Sequence, residues 1–267
     1  MEQINEGNYF SLNNRGLSQS KLKEYGICPN YFYRKNITGE FVREETAALK
    51  IGHEVDALLT EIEKETNSVV FTGDRRTKLG KEEYQLLIES GKTVLSQAEY
   101  DNIQAVVKAV KETSAYQEIE KTFVFQEILQ IEAELGPHFD FLYGKVDAYR
   151  INPDGVCDLL DLKTCRSVNH RRYYFNAVEL GYFKQLRFYA WLLEQKYPQI
   201  KGFRFYHLAV EKSEPFGVRL FQIPNEYIMK ESEWVQETIK KVREDKEFKK
   251  ADASFKTPTE LINPVDF

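Results

Sequence analysis

The sequence predicts an α/β protein in which helices pack against a central mixed sheet. Three observations carry that reading. The first 120 residues place apolar side chains at helical spacing. From residue 121 onward, segments rich in Phe, Val and Ile alternate, which suggests strands. The third of those segments is followed by a helical stretch and then by two more strands.

Taken in order, Ser18 is placed to cap a short helix over 18–25 (SQSKLKEY), which Pro29 is expected to stop. Ala48, Ile51, Val55, Leu58 and Leu59 recur at helical spacing and predict a long amphipathic helix over 45–64. Gly73, Gly80 and Gly91 mark a polar region holding a helix near 80–89. Ser96 and Glu99 form a capping-box pair at the start of a helix over 96–112. FVFQEILQIEAEL then reads as a strand, and Gly136-Pro137 turns the chain. FDFLYGKVDAYRI is a second strand, Asn152-Pro153-Asp154-Gly155 a strong turn, and VCDLLDLKT a third strand, so the three run as a meander. A basic loop at 166–172 leads to a helix at about 177–196, strands near 202–212 and 217–223, and a helix over 225–246. The expected organisation is a single domain over 1–267. It comprises a mainly helical part (18–120), a sheet-and-helix core (121–246) and a loosely attached tail (247–267).

Charged residues make up 30% and hydrophobic residues 42%, as in soluble globular chains. No apolar run approaches the roughly 20 residues that span a bilayer, so no membrane association is expected. The start, MEQINEGNYF, lacks a basic region followed by an apolar one, and no secretory leader is expected. Cys28, Cys157 and Cys165 show no CxxC spacing, which suggests a reducing compartment, hence the cytoplasm. The net charge of −5 counts mildly against a nucleic-acid binder, but only the field at the binding groove matters.

The chemistry centres on Asp161-Leu162-Lys163 at the end of the third strand. Strand alternation points Asp161 and Lys163 to one face and Leu162 to the other. A hairpin folded about 152–155 makes Asp147 a near cross-strand neighbour of Asp161. The apolar run around them suggests a strand buried on both faces, where a carboxylate is costly without a partner or a task. Two aspartates with water suit Mg²⁺. Such an ion activates water and stabilises charge on a phosphodiester, and Lys163 is placed to orient that water or neutralise developing charge. Downstream, Gln185 and Tyr189 share one helix face by their i, i+4 spacing. Arg166, His170, Arg171 and Arg172 are candidate phosphate contacts, with Tyr173 or Tyr174 to stack on an end base. Arg75, Arg76 and Lys78 form a second basic cluster.

Gly144-x-x-Asp147, Asp161-x-Lys163-Thr164 and Gln185-x-x-x-Tyr189, in that order, resemble the core of the PD-(D/E)XK nuclease superfamily, and more narrowly its RecB-like and RecE-type phage exonuclease branch. Gly52-His53 resembles the branch's helical GxxH-type element, and SQSKLKEYGICPNYFY its opening element. DRRTKLGK (74–81) and LSQAEYDNI (95–103) are similar to the RecE-type arrangement. The resemblance covers roughly 18–195. It implies a restriction-endonuclease-like core with an N-terminal helical elaboration. It further implies metal ligation by Asp147, Asp161 and the backbone carbonyl of Leu162, with His53 and Glu127 as further ligands and Lys163 as the catalytic lysine. Gln185 and Tyr189 would face the site. The metal would be Mg²⁺, with Mn²⁺ as a substitute.

The implied activity is a 5′–3′ exonuclease that degrades linear duplex DNA from its ends in phage or prophage recombination. Such an enzyme acts as a homo-oligomeric ring and passes its product to a single-strand annealing protein. The absence of a GxxxxGK[ST] loop agrees with ATP independence. Nothing after Cys165 is a cysteine, so the iron–sulfur cluster of several relatives is not expected. Two other readings stay open: another Mg²⁺-dependent endonuclease on the same core, and a catalytically idle DNA-binding module.

Overall fold

The computed structural model describes residues 15–40, 46–60, 67–245 and 248. Strand β1 (Gly16–Leu17) leads into helix α1 (Gln19–Ile27), whose first turn is capped by Ser18. Pro29 does not simply end that helix. It occupies the first turn of α2 (Pro29–Asn36), where a missing N–H costs nothing because that donor has no partner within the helix. Helix α3 (Ala47–Thr60) follows, then β2 (Ser68–Val70), α4 (Lys78–Glu89) and β3 (Thr93–Leu95). Helix α5 (Gln97–Lys111) carries the expected capping box. Thr113 caps α6 (Ser114–Thr122), a helix absent from the sequence expectations, which end the preceding helix at 112.

The meander forms as β4 (Val124–Glu132), β5 (Phe141–Ile151) and β6 (Val156–Cys165). The expected single helix after it is two helices, α7 (His170–Glu179) and α8 (Tyr182–Lys196). Gly181 breaks them with a left-handed backbone (φ 71°), which glycine adopts without steric cost. So the basic segment at 166–172 is half loop and half helix. Strands β7 (Gly202–Glu211) and β8 (Val218–Ile223) come next, and the last expected helix is likewise divided into α9 (Asn225–Met229) and α10 (Ser232–Glu244). The expected tail lies outside the described residues except Phe248, which is buried and stacks on Phe32 and Tyr33.

One mixed sheet organises these elements. β4, β5 and β6 pair antiparallel in sequence, β6 and β7 pair parallel across the α7–α8 crossover, and β8 returns antiparallel. β1 adds a parallel partner at the start of β5. Helices cover both faces. Leu22, Phe32, Phe188 and Leu192 pack with Val146, Leu159 and Phe205 on one side. Val55, Leu59, Ile103 and Val106 pack with Ala148, Leu160 and Leu162 on the other. Each such side chain contributes about 1.5–3 kcal/mol through burial, so the sheet is clamped between two apolar layers. Among the described residues no helix is long and apolar enough to cross a membrane.

Candidate active site

The sheet is not zipped along its whole length. β5 and β6 pair over Ala148–Ile151 and Cys157–Leu160. Where the ladder would continue, Asp147 Oδ2 instead accepts the main-chain N–H of Leu162 at 2.8 Å. β5 stays with β4 down to Phe141, and β6 stays with β7 up to Cys165. A cleft of about 550 Å³ opens at this fork. β5 lines it with Lys145 and Asp147, and β6 with Leu162, Lys163 and Thr164. Helix α3 supplies Gly52, His53 and Asp56 from one layer, and α8 supplies Tyr182, Gln185 and Tyr189 from the other. A broader depression of about 650 Å³ on α4 is open and lined by Arg75, Tyr84 and Leu86, with no buried polar groups converging on it.

The fork concentrates charge. Asp161 is wholly buried and ion-pairs with Lys163. Neither carboxylate oxygen of Asp161 has a well-aligned hydrogen-bond donor. Asp147 and Asp161 lie within hydrogen-bonding reach of each other. Burial raises the pKa of both, and Asp161, with Asp147 beside it, is pushed up to about 7. Burial alone would pull the Lys163 ammonium down, but Asp161 and Asp147 outweigh it and hold its pKa above the ordinary value. The ammonium also lies 4.9 Å from the centre of the Tyr182 ring.

His207 pairs in register with Asp161 on β7, its Nε2 3.9 Å from Asp161 Oδ2. Burial first, and Lys163 second, hold its pKa well below the usual value, so the ring is neutral. It stacks on Phe183 and neither nitrogen finds a hydrogen bond. His207 therefore walls the site without adding charge.

Five polar residues of the cleft, Asp56, Gln126, Lys145, Tyr182 and Lys212, escaped the sequence reading. Asp56 lies one turn along α3 from Gly52. A Cβ at Gly52 would stand 3.3 Å from Thr164 Oγ1, so the glycine lets the helix sit close on β6. That approach brings Asp56 beside Asp147. Burial and then the Asp147 charge raise its pKa well above the usual carboxylate range. Gln126 Nε2 donates to Asp56 Oδ2 at 3.2 Å, while Oδ1 has no donor. In the sequence Asp56 shows only as a carboxylate four residues after a glycine on an amphipathic helix, a pattern that does not by itself mark a site.

The donor set fits a hard divalent cation. Asp161 and Asp56 hold buried oxygens without donors, an excess of acceptors that a cation would satisfy. The Leu162 side chain packs in the opposite layer, so the residue presents its main chain to the cleft. Among the described residues no three His, Cys, Asp or Glu side chains form a complete cage. Asp147, Asp161 and the Leu162 carbonyl would hold an ion whose shell is completed by water and substrate oxygens, the pattern Mg²⁺ prefers.

Other expected residues fall as follows. Gln185 and Tyr189 both line the cleft, with Gln185 Nε2 donating to the Tyr189 hydroxyl at 3.1 Å. A Cβ at Gly144 would meet Tyr189 at 2.8 Å, so that glycine lets α8 close over β5. His53 lines the cleft mouth and is exposed, one turn before Asp56, which lies beside Asp147. Glu127 is not among the residues that line the cleft. Gln126 leaves the β4–β5 register with a left-handed backbone (φ 52°) and turns toward α3, while Glu127 turns away, where its Oε1 takes Lys196 Nζ at 2.6 Å and the Tyr197 hydroxyl at 2.8 Å. Those partners, with Tyr149, outweigh burial and keep its pKa low. Tyr173 is buried against Phe221 and is not available to a base, whereas Tyr174 is exposed. Arg166, His170, Arg171 and Arg172 are exposed around the start of α7. Arg76 pairs with Asp74, and Arg75 lies over the Tyr84 ring, both off the cleft.

Residues 18–253 match the model of a family described as "PDDEXK-like domain of unknown function (DUF3799)". Among solved structures, the chain is similar to a candidate exonuclease from Eubacterium rectale. The TM-score is 0.63 at 17% identity, over 91% of this chain and 87% of that one. At that identity the likeness speaks to the fold. It also overlaps the protein SSO0001 at a TM-score of 0.31 and 15% identity, over 74% of this chain and 86% of that one, too little to support any argument. No curated protein matches it.

Proposed function

Because the chain belongs to this PDDEXK-like family, whose fold supports a nuclease, we propose that it hydrolyses DNA phosphodiester bonds with the fork between β5 and β6 as its active site. The observation that carries this reading is the meeting of Asp147, Asp161 and Lys163, two carboxylates and an ammonium, in one buried patch. A bound Mg²⁺ or Mn²⁺ would supply Lewis-acid charge and an activated water. Asp147, Asp161 and the Leu162 carbonyl would hold it. Lys163, kept protonated by its acidic neighbours, places a positive charge where the pentavalent phosphorus gathers negative charge. Tyr182 covers one side of that ammonium, and the neutral His207 packs behind Asp161. Gln185 and Tyr189 orient the strand from α8.

The finer reading is an ATP-independent exonuclease working 5′–3′ from the ends of linear duplex DNA in phage or prophage recombination. It would be cytoplasmic, a single domain assembled as a homo-oligomeric ring, with a single-strand annealing protein as partner. The sequence motifs carry this reading, and the Eubacterium rectale protein's designation as a candidate exonuclease agrees with it.

Linear and closed-circular duplexes incubated with protein and Mg²⁺ test it. Digestion of the linear form alone is expected. Cutting of circles would replace the exonuclease with an endonuclease on the same core. No cleavage with any divalent ion would remove nuclease activity itself.

A further inference from the structure

Helix α7 lies beside the cleft and buries Tyr173 and Ala177 against the sheet. Its opposite face carries Arg171, Tyr174, Phe175 and Val178, spaced i, i+3, i+4 and i+7. A surface helix is normally polar on that side. Here Tyr174 is 39%, Phe175 58% and Val178 51% exposed, and Leu180, just past the helix, is 45% exposed and lines the cleft. An apolar strip thus runs from solvent to the cleft mouth. At its outer end Arg171 and Arg172 are exposed and, among the described residues, pair with no carboxylate. In a chain of net charge −5, unpaired cations beside exposed rings match a polyanion that carries flat apolar groups.

The depth of the site indicates the state in which that polyanion arrives. Asp161 is fully buried and the Lys163 side chain is 14% exposed. The cleft holds about 550 Å³, within the roughly 300–1,000 Å³ of sites for small ligands. That space admits a nucleotide or two of single strand. A strand that reaches these buried carboxylates separates locally from its partner, and its neighbouring bases lie outside the cleft.

We propose that the outward face of α7, centred on Phe175 and Val178 and flanked by Arg171, is a stacking platform for the unpaired bases of the strand entering the cleft. This rests on the nuclease reading for the identity of the ligand. The arginine holds a phosphate while the apolar strip from Tyr174 to Leu180 receives base faces.

The test measures anisotropy of a labelled oligothymidine, and of an abasic oligomer of equal length, in chelator so that no strand is cut. Wild type is compared with Phe175→Ser/Val178→Ser, two changes at exposed residues outside the cleft lining. Wild type should prefer oligothymidine about tenfold, the scale of base–aromatic stacking, and the double variant should lose that preference. A retained preference, an equal loss on both oligomers, or no binding of either by wild type would each overturn the platform. So would a drop in sedimenting mass in the variant, which would show that the face seats a second copy of the chain. Mg²⁺-dependent digestion of linear duplex is scored separately. Binding as expected without digestion refutes the nuclease reading, and digestion with α7 silent refutes only the platform.

Discussion

Asp147 accepts the Leu162 main-chain N–H at 2.8 Å, so one carboxylate stands in for the strand carbonyl that a continuous ladder would supply. Its substitutions should therefore separate architecture from chemistry. Asp147→Asn keeps an acceptor for that N–H and should unfold in urea close to wild type while losing Mg²⁺-dependent cleavage. Asp147→Ala orphans a buried N–H as well and should lose a further 1–3 kcal/mol or so. Equal stability of the two variants would mean that the bond does not hold the fork.

Stability without metal should fall as pH rises from about 5 to about 7.5. Burial raises the pKa of Asp161 to about 7, and those of Asp147 and Asp56 above the usual range. In this window the unfolded chain has released these protons while the folded chain still holds them, so the slope of unfolding free energy with pH is negative. The carboxylates with lowered pKa, such as Asp158 and Glu127, are ionised in both states there and leave the slope unchanged. His207, held neutral in the fold, opposes it below about pH 6.5, where the unfolded imidazole takes up a proton, and three raised carboxylates against one imidazole keep the net slope negative. Urea titrations in chelator at pH 5.5 and 7.5 should show the higher midpoint at pH 5.5. Added Mn²⁺ should stabilise more at pH 7.5, because the ion competes with those protons. A midpoint that rises with pH in chelator would contradict the raised carboxylates.

Asp56, rather than His53, should govern the ion. Asp56→Ala is expected to weaken Mn²⁺ binding, followed by paramagnetic water relaxation, by about 10- to 100-fold. His53→Ala, at the exposed mouth, should change it less than about threefold on the same scale. The reverse ranking would make His53 the residue of α3 that holds the ion.

Gly144→Ala should disturb the cleft without touching any charge. The added Cβ meets Tyr189 at 2.8 Å and Leu192 at 3.1 Å. Overpacking of that kind costs about 1–3 kcal/mol, to be read from urea midpoints at constant m-value. Cleavage should fall with the displacement of Tyr189 and Gln185. A fully stable Gly144→Ala protein would show that α8 is free to shift.

Much of this was legible in the residues. The meander was readable because period-two alternation and the Asn152–Gly155 turn act locally, and they place Asp147 near Asp161. Lys163 followed from the same alternation. Asp56 was not legible as a site residue, since its place depends on how closely Gly52 lets α3 approach β6, a tertiary distance. Gln126, not Glu127, reaches the cleft because it leaves the β4–β5 register with a left-handed backbone, a local break that the alternation of β4 does not announce. The break at Gly181 was hidden because a left-handed glycine leaves the helical periodicity on either side intact. The two- and three-residue strands β1, β2 and β3 are too short to show any period.

The seam between β5 and β6 has a mechanical consequence. It joins the two halves of the sheet through four residue pairs, against ten between β6 and β7. One half carries Gln126, Lys145 and Asp147, and the other carries Asp161 and Lys163. The interval between Asp147 and Asp161 is thus the jaw opening of a short-hinged vice. Substitutions along 148–151 or 157–160, far from any reacting atom, will tune it as a screw thread sets a gap.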